Sequence, residues 1–306
     1  MVLYQMKKRV LITGVNGFTG RYMAAEMNDA GYEVFGLAHS ASSKSFSDSV
    51  ALLFCDLCDR TKLSRIIEEV CPDFVVHLAS IAFVAHGDAE AIYRTNIVGT
   101  RNLLECLARN AHTPRSILLA SSASIYGNAT TDLIGENTIA APANDYAVSK
   151  LAMECMAKLW ADRLPVTIVR PFNYTGVGQS LDFLLPKIAD HFKRRAAVLE
   201  LGNLDVVRDF SDVRSVVSSY HRLLEIAASG ETFNVCSGIG HSLLEVLQMM
   251  RDITGHHPEI RVNPAFVRAN EVHRLIGSRA KLDSVIGKIP AIPLQETVQW
   301  MLDGTP

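Results

Sequence analysis

The sequence has no long apolar run, no block of like charge and few cysteines, and each absence excludes a class of protein. No run reaches the roughly 18 apolar residues that a membrane-spanning helix needs, so we expect no membrane partner. The net charge is −2 and neither end carries a charged tail, which argues against a nucleic-acid partner. The six cysteines are scattered through apolar or helical patterns, as is typical of reduced thiols, so we expect a cytoplasmic protein.

One C-x-x-C spacing, from Cys55 to Cys58, is typical of metal sites and redox pairs. A structural zinc site needs a full set of ligands, and no second cysteine pair or neighbouring histidine completes this one. A redox pair is scarcely better supported by the sequence. We therefore expect no metal.

What the sequence does contain is a regular alternation of strand and helix patterns. Helical spacing separates apolar, β-rich runs at residues 9–13, 33–38, 51–54, 73–78, 116–120 and 165–170. Continuous apolar strands joined by helices predict a parallel sheet that is covered on both faces. The expected fold class is α/β, with a doubly wound parallel (Rossmann) sheet.

The alternation weakens after Arg170, where prolines and glycines interrupt the pattern and the later segments become shorter. These later segments predict a smaller C-terminal lobe. The predicted boundaries are residues 1–170 plus about 205–238 for the Rossmann domain, and about 171–204 plus 239–306 for the lobe.

A glycine-rich turn follows the first predicted strand and opens a helix. Its G-x-x-G-x-x-G spacing allows a tight turn and lets the backbone approach a pyrophosphate at the helix N-terminus. A merely tight strand-to-helix turn is the alternative. The spacing predicts dinucleotide contacts from the turn residues Gly14, Asn16, Gly17, Phe18, Thr19 and Gly20.

The end of the second predicted strand bears on the choice between NAD and NADP. An acid there favours NAD, but residues 36–40 contain none, while His39, Ser40 and Lys44 could accept a 2′-phosphate. This favours NADP as the cofactor, with NAD possible. Asp56 and Leu57 follow the third strand and could face the adenine, or Asp56 could cap the next helix.

Tyr146 and Lys150 stand four residues apart at the start of a predicted helix, on one of its faces. A phenol has an ordinary pKa near about 10, and a neighbouring ammonium favours its ionised form. A second polar group stands upstream, because the apolar run in LLASSASIYG (118–127) stops at Ser121, Ser122 and Ser124. Together these residues indicate proton transfer beside a bound cofactor.

Five motifs in this order resemble the extended short-chain dehydrogenase/reductase family: GVNGFTG, NIVGT, SSASIYG, YAVSK and RPFNYTGVGQ. The resemblance covers essentially the whole chain. It implies that Tyr146 is the catalytic acid/base, Lys150 its partner, and Ser122 a hydrogen-bond donor to the substrate oxygen. It also implies cofactor contacts from Leu78, Ala79, Ser80, Asn96, Tyr146, Lys150 and Pro171, with Asn96 in a structural or proton-relay role.

Within the family, the C-terminal half is most similar to the nucleotide-sugar branch, which implies that the smaller C-terminal lobe is the substrate-binding lobe and takes a nucleotide sugar. The resemblance places Arg208 at the phosphates of a sugar nucleotide, where a guanidinium suits a diphosphate; an ion pair with Asp205 or Asp209 is the alternative. It likewise makes Arg268 a phosphate clamp and Glu271 a ribose acceptor. The predicted substrate-binding residues are His86, Ser122, Ser124, Asn173, Lys187, Leu201, Asn203, Arg208, Arg268 and Glu271. His86 could equally be a surface loop histidine.

The motifs look most like GDP-4-keto-6-deoxy-D-mannose reductases and the related GDP-mannose 4,6-dehydratases. The dehydratases carry a glutamate where this chain has Ser124, and a hydroxyl is a poor base for removing the C5 proton. We therefore expect NADPH-dependent reduction of a GDP-linked 4-keto-6-deoxy sugar at C4. A 4-epimerase with bound NAD, a 4,6-dehydratase and a cofactor-binding regulator are the alternatives. The resemblance also implies a homodimer that packs through the helices around 89–110 and 145–163.

Overall fold

The computed structural model describes residues 7–40, 49–82, 88–129, 131–267 and 272–304. The strands are β1 (Arg9–Thr13), β2 (Glu33–Ala38), β3 (Val50–Phe54), β4 (Phe74–His77), β5 (Ser116–Ala120), β6 (Val166–Pro171), β7 (Asn173–Thr175), β8 (Val198–Leu201), β9 (Val207–Asp212), β10 (Thr232–Val235), β11 (Gly240–Ser242), β12 (Glu259–Val262) and β13 (Arg274–Leu275). The α-helices are α1 (Phe18–Asp29), α2 (Arg60–Val70), α3 (Ala89–Tyr93), α4 (Thr100–Arg109), α5 (Asp145–Lys158), α6 (Leu184–Lys193), α7 (Val213–Ile226), α8 (Leu243–Thr254), α9 (Ala280–Ile286) and α10 (Leu294–Asp303).

Seven strands of the described chain form one sheet in the order β10-β6-β5-β4-β1-β2-β3. The pairs from β6 through to β3 are parallel, and helices connect most of these strands. The predicted doubly wound α/β fold is confirmed. Because β1 pairs with both β2 and β4, the strand order reverses at β1, which is where such sheets bind ligands at their carboxyl ends.

The first of two compact units comprises the chain up to Ser122, Asn144–Arg170 and Val217–Phe233. Its main core brings sheet residues such as Leu11, Val75 and Ile117 into one cluster with residues of α2, α4 and α5. Alternate residues of a strand point to the same face of a sheet. The side chains at the ends of β1 and β4 therefore continue the row that Leu11 and Val75 begin.

The second compact unit comprises Ala123–Ala143, Pro171–Val216 and the chain from Asn234 onward. Its core consists mainly of apolar residues from α6, α8 and α10, together with residues of β8 and β9. Strand β9 lies between β11 and β13 and also pairs with β7, while β8 and β12 form a separate parallel pair.

Two helices differ from their predicted extents. The predicted helix 89–110 is divided, because a π-helix from Arg94 to Gly99 separates α3 from α4. The predicted helix 145–163 ends at Lys158, since the N–H groups of Leu159 and Trp160 bond to carbonyls three residues back rather than four. π-Helical turns often mark functional sites, and this one contains Asn96.

The described helices were also compared with the length and hydropathy that a membrane crossing requires. None of them is both long and apolar enough to span a bilayer.

Candidate active site

The glycine turn after β1 leaves no room for side chains at two of its positions. Gly14 has φ +69°, and a Cβ there would lie 2.7 Å from the Ala79 nitrogen. A Cβ on Gly20 would lie 2.3 Å from the Gly14 carbonyl oxygen. Helix α1 follows with Gly17 as its N-cap and no side-chain cap among the described residues. The turn is therefore a backbone cradle whose helix N–H groups are suited to an anion.

Asn16 Oδ1, in the glycine turn, and Ser121 Oγ, directly after β5, are buried polar atoms without a hydrogen-bond partner within the described part of the chain. The other end of the Asn16 amide donates to the Ser40 carbonyl at 3.0 Å, which joins the glycine turn to the end of β2. Buried polar atoms are normally satisfied, so such atoms indicate a missing partner. Together with the cradle, they show that these residues fit a dinucleotide cofactor.

The structure places Asp56 beside His39, at the ends of neighbouring strands. Asp56 Oδ2 lies 3.8 Å from His39 Nε2, and its Oδ1 accepts from the Cys58 nitrogen at 2.8 Å. Asp56 does not cap α2, because Asp59 accepts from the Lys62 nitrogen there. A carboxylate that the sequence assigned to the adenine or to a helix cap thus stands next to a residue predicted to accept a 2′-phosphate.

Helix α5 and the end of β5 carry the three residues that the sequence predicts to be catalytic. Asn144 caps α5 by accepting from the Ala147 nitrogen at 2.9 Å, which sets Tyr146 in the first turn. The buried Lys150 Nζ donates to the Ala120 carbonyl at 2.8 Å and lies 5.8 Å from the centre of the Tyr146 ring. Ala120 is the last residue of β5 and directly precedes Ser121 and Ser122. Ser122 is buried and Tyr146 half-buried.

Burial lowers the pKa of Lys150. Desolvation lowers the pKa of its ammonium from 10.5 to about 8, and the nearby charge of Glu154 partly opposes this effect. Glu154 is itself buried and accepts from Arg170 Nε at 2.9 Å and from Nη2 at 2.6 Å. Glu154 and Arg170 were missed by the sequence analysis, although an acid four residues after Lys150 on one helix was a visible signal.

Asn96 uses its whole amide within the first unit. Its oxygen accepts from Ser80 Oγ at 3.0 Å and from the Ile81 nitrogen at 2.9 Å. Its nitrogen donates to the Ile81 carbonyl at 3.2 Å and to Ser149 Oγ at 2.9 Å. Ser149 Oγ in turn donates to the Tyr146 carbonyl at 2.7 Å. Asn96 therefore ties the segment after β4 to the helix that carries Tyr146.

Apart from Ser122, the predicted substrate residues that the structure describes lie in the second unit. Arg208 Nη1 donates to the carbonyls of Val207 and His273 at 3.0 and 3.2 Å. The adjacent Asp209 is fully buried, and its carboxylate accepts from Ser237 and Gly238. Desolvation raises the pKa of Asp209, against these hydrogen bonds. The Asp209 carboxylate thus anchors the loop after β10 to the strand that bears Arg208.

Lys187 borders a cavity of about 380 Å³ in the same unit. Its Nζ donates to the Glu200 carbonyl at 3.2 Å and lies 4.0 Å from the centre of the Phe266 ring. The cavity lining also includes the side chains of His191 and Arg261. Glu200 also lines the cavity, which therefore offers a ring face and both signs of charge to a ligand.

Several further predicted residues lie at strand ends, in a 3₁₀ turn or outside the described part of the chain. Leu201 and Pro171 end β8 and β6, Asn173 begins β7, and Asn203 follows β8. Ser124 lies in the 3₁₀ turn Ala123–Tyr126. Lys44, His86, Arg268 and Glu271 fall outside the described residues. No group of three or more His, Cys, Asp or Glu side chains among the described residues is arranged to hold a metal ion.

Two characterised relatives are similar to this chain over nearly its full length. A GDP-6-deoxy-D-talose 4-dehydrogenase from Aggregatibacter actinomycetemcomitans is 34% identical and covers 91% of each chain. A GDP-6-deoxy-D-mannose reductase from Pseudomonas aeruginosa is 33% identical and covers 97% of each chain. The two names describe GDP-linked 6-deoxy sugars that differ in configuration at C4.

Solved structures give the same fold. A Burkholderia cenocepacia J2315 protein, provisionally named an epimerase, has a TM-score of 0.92, 50% identity and 97% coverage of each chain. The structure of RMD from Pseudomonas aeruginosa complexed with NADPH has a TM-score of 0.82 and 32% identity, covering 97% of this chain and 98% of that one. The family model described as GDP-mannose 4,6 dehydratase matches residues 11–301. This chain therefore belongs to the GDP-mannose 4,6-dehydratase family of NAD(P)-dependent extended short-chain dehydrogenases/reductases.

Proposed function

We propose that the protein reduces the C4 ketone of a GDP-4-keto-6-deoxy-hexose with NADPH. The substrate is GDP-4-keto-6-deoxy-D-mannose and the product is GDP-D-rhamnose or its C4 epimer. The observation that carries this proposal is the buried ammonium of Lys150 beside the Tyr146 ring, at the strand end that leads into Ser122. The names of two relatives at 33–34% identity, a reductase and a 4-dehydrogenase of GDP-6-deoxy sugars, support it.

The cofactor proposal is NADP, with NAD as a weaker ligand. The glycine cradle and the unpartnered Asn16 and Ser121 atoms support a dinucleotide. The NADPH bound to the Pseudomonas RMD structure supports the phosphorylated form. Asp56 beside His39 works against a 2′-phosphate, because like charges repel. The NADP preference is therefore expected to be modest rather than absolute.

The protein side of the reaction follows from the cluster around α5. A bound NADPH supplies the hydride for C4. Tyr146 gives its phenolic proton to the C4 oxygen as negative charge develops there, and Ser122 donates a hydrogen bond to the same oxygen. An ammonium has three N–H donors, and Lys150 directs one of them to Ala120, so the others are available to the cofactor ribose. Its positive charge also stabilises the phenolate that remains on Tyr146.

Ser124 supports reduction rather than dehydration. Removal of the C5 proton needs a base, and the dehydratases that this chain resembles carry a glutamate at the matching position. A serine hydroxyl cannot hold the negative charge that this step needs at neutral pH. Membership of a family described by its dehydratases therefore does not carry the dehydratase reaction to this chain.

The second unit is proposed to bind the nucleotide diphosphate. Its support is the guanidinium of Arg208 on β9 and the cavity beside Lys187, together with the phosphate and ribose roles that the resemblance implies for Arg268 and Glu271. Arginine suits a diphosphate because its planar donors match two phosphate oxygens.

The test is NADPH oxidation with GDP-, UDP- and dTDP-linked 4-keto-6-deoxy sugars, with the C4 configuration of the product read by NMR. We expect turnover with the GDP-linked substrate and at least about tenfold lower kcat/KM with the other two, the loss of one good contact to the base. Equal kcat/KM for the three nucleotides contradicts the proposed substrate. No NADPH oxidation with any of them contradicts the proposed reaction.

A 4-epimerase is the second candidate, and the 50%-identical Burkholderia structure favours it. An epimerase uses the same tyrosine and lysine but retains NAD and regenerates it in each cycle. Purified protein that keeps NAD through dialysis and interconverts C4 epimers without net NADPH oxidation supports this candidate. Loss of the cofactor on dialysis supports the reductase.

We also propose that the protein is a cytoplasmic homodimer that packs through α3, α4 and α5. Val98 and Val148 support this, because both are exposed apolar side chains in this segment, in the π-helix and α5 respectively. Light scattering after size exclusion is expected to give twice the mass of 33.6 kDa. Val148→Asp is expected to shift that mass towards one chain.

A further inference from the structure

His77 is the last residue of β4, and its side chain forms hydrogen bonds to β1 on one side and to α4 on the other. It is 1% exposed, and its Nδ1 lies 2.7 Å from Thr13 Oγ1 while its Nε2 lies 2.8 Å from Thr100 Oγ1. Thr13 ends β1 and is the register partner of His77, so both side chains stand on one face of the sheet. Thr100 begins α4, directly after the π-helix.

The donor and the acceptor in each of these hydrogen bonds follow from the groups at the two ends of the series, the Asn96 carbonyl and the Ala79 nitrogen. Thr100 Oγ1 lies 2.7 Å from the Asn96 carbonyl, and a carbonyl only accepts, so the Thr100 hydroxyl proton points there. His77 Nε2 must then be the donor to Thr100 Oγ1. A neutral imidazole has one N–H, so Nδ1 accepts from the Thr13 hydroxyl. The Thr13 oxygen in turn accepts from the Ala79 nitrogen at 3.2 Å.

The neutral form of the ring agrees with its surroundings. Burial, with a further contribution from the charge of Lys150, lowers the pKa of His77 to about 3. A protonated ring would turn Nδ1 into a second donor and leave the Thr13 hydroxyl proton without its acceptor. The donor-to-acceptor direction of these hydrogen bonds is therefore the same throughout the neutral pH range.

Both ends of this series of hydrogen bonds reach parts of the proposed active site. At one end, the Ala79 nitrogen lies against Gly14, whose Cβ position is only 2.7 Å away from it. At the other end, Asn96 continues through Ser149 Oγ to the carbonyl of Tyr146. The backbone of the cofactor cradle is thus linked to the first turn of α5 by two runs of hydrogen bonds, which meet at Asn96. One run ends at the Asn96 backbone carbonyl and the other begins at its side-chain amide, while Ala79 reaches Gly14 by close packing.

We propose that His77, as the fixed Nε2–H tautomer, is a positioning residue that couples the cofactor cradle to the placement of Tyr146. Thr13, Thr100, Asn96 and Ser149 are the other members of the same series. The coupling rests on the proposed function, since it assigns a nicotinamide cofactor to the cradle and proton donation to Tyr146. Closing of the cradle on a cofactor and correct orientation of the phenol then favour each other.

The tautomer is tested without cofactor or substrate. Protein containing ¹⁵N-histidine is examined by long-range proton–nitrogen correlation NMR, with His77 assigned by its loss in a His77→Gln variant. We expect a pyrrole-type signal from Nε2 and a pyridine-type signal from Nδ1, unchanged between about pH 5 and 8. The reverse tautomer, or a ring that titrates in this range, overturns the proposal whatever the enzyme's activity.

The coupling is tested by threonine variants, because a His77 variant alone can lose stability in a buried site. Thr13→Val is expected to raise the NADPH Kd about tenfold, the value of one good hydrogen bond, measured by calorimetry without substrate. Thr100→Val is expected to lower kcat about tenfold with a smaller change in NADPH affinity. Thr13→Ser and Thr100→Ser keep the hydroxyls and are expected to recover most of each loss.

The double variant distinguishes coupling from independent structural defects. If both threonines act through His77, the double variant Thr13→Val/Thr100→Val loses less NADPH affinity, and less kcat, than the product of the corresponding losses in the two single variants. Losses that multiply, or that follow the folded fraction alone, overturn the proposal. A protein that binds NADPH and shows the expected tautomer but turns over no keto sugar contradicts the proposed function instead.

Discussion

Replacing Lys150 with methionine is expected to stabilise the protein while removing its activity. The pKa of Lys150 falls from 10.5 to about 8 on burial, and one pKa unit corresponds to about 1.4 kcal/mol. Keeping the ammonium charged therefore costs the folded protein about 3 kcal/mol at pH 7. Methionine has a similar shape and no charge, but it loses the hydrogen bond to Ala120, worth about 1 kcal/mol. We expect a net gain of about 2 kcal/mol.

The pH dependence of this gain has a definite sign. The folded-state pKa lies below the unfolded value, so between pH 8 and 10.5 the folded protein loses the proton before the unfolded chain does. The wild-type protein therefore becomes more stable relative to the variant as pH rises through this window. The advantage of Lys150→Met is expected to be complete at pH 7 and to shrink towards pH 10.

The measurement is urea unfolding of the cofactor-free protein at pH 7 and at pH 10, with NADPH oxidation measured in parallel. Lys158→Met is the matched control, because Lys158 is an exposed residue of the same helix, and we expect it to change stability little. Turnover of Lys150→Met is expected to fall by about a hundredfold or more. The reasoning is refuted if Lys150→Met is less stable than the wild-type protein at pH 7. It is also refuted if the difference in the free energy of unfolding between the two proteins is the same at both pH values.

Three further substitutions test the site. Tyr146→Phe is expected to lower turnover by about a hundredfold or more with little change in NADPH affinity, and near-full turnover rejects Tyr146 as proton donor. Gly20→Ala is expected to abolish NADPH binding or folding, because the new Cβ meets the Gly14 carbonyl at 2.3 Å, whereas Gly135→Ala meets nothing within 4 Å; similar binding by the two variants contradicts the cradle. Arg208→Lys is expected to raise KM for the nucleotide sugar about tenfold, since it loses bidentate geometry, and an unchanged KM removes Arg208 from the diphosphate site.

Ser124, set beside the family's description, shows why the reaction type needs its own experiment. The family model is described by its dehydratases, whereas one relative is named a 4-dehydrogenase and another a reductase of GDP-6-deoxy sugars. The pair of Tyr146 and Lys150 and the glycine cradle of this chain do not by themselves discriminate among these three activities. The reaction type is therefore decided by the product of the NADPH oxidation assay rather than by further comparison of sequences.

Local signals in the sequence were enough to predict the fold class, which the structure confirms, and to propose the main elements of the site. Continuous apolar strands with helical spacing between them indicate a parallel sheet, and the glycine spacing after β1 indicates a cofactor turn. The four-residue spacing of Tyr146 and Lys150 places them on one helical face because the helical period is a local property. None of these inferences needs knowledge of which distant residues meet.

What only the tertiary structure decided depends on distant residues being brought together. The pKa of Lys150 is set by how deeply α5 is buried against the end of β5, which no spacing reveals. Asp56 meets His39 because β2 and β3 are neighbours in the sheet. His77 ends an apolar strand, a visible signal, but its partners lie 64 and 23 residues away. The sequence determined which groups are present. Packing determined their pKa values, their partners and the direction of their hydrogen bonds.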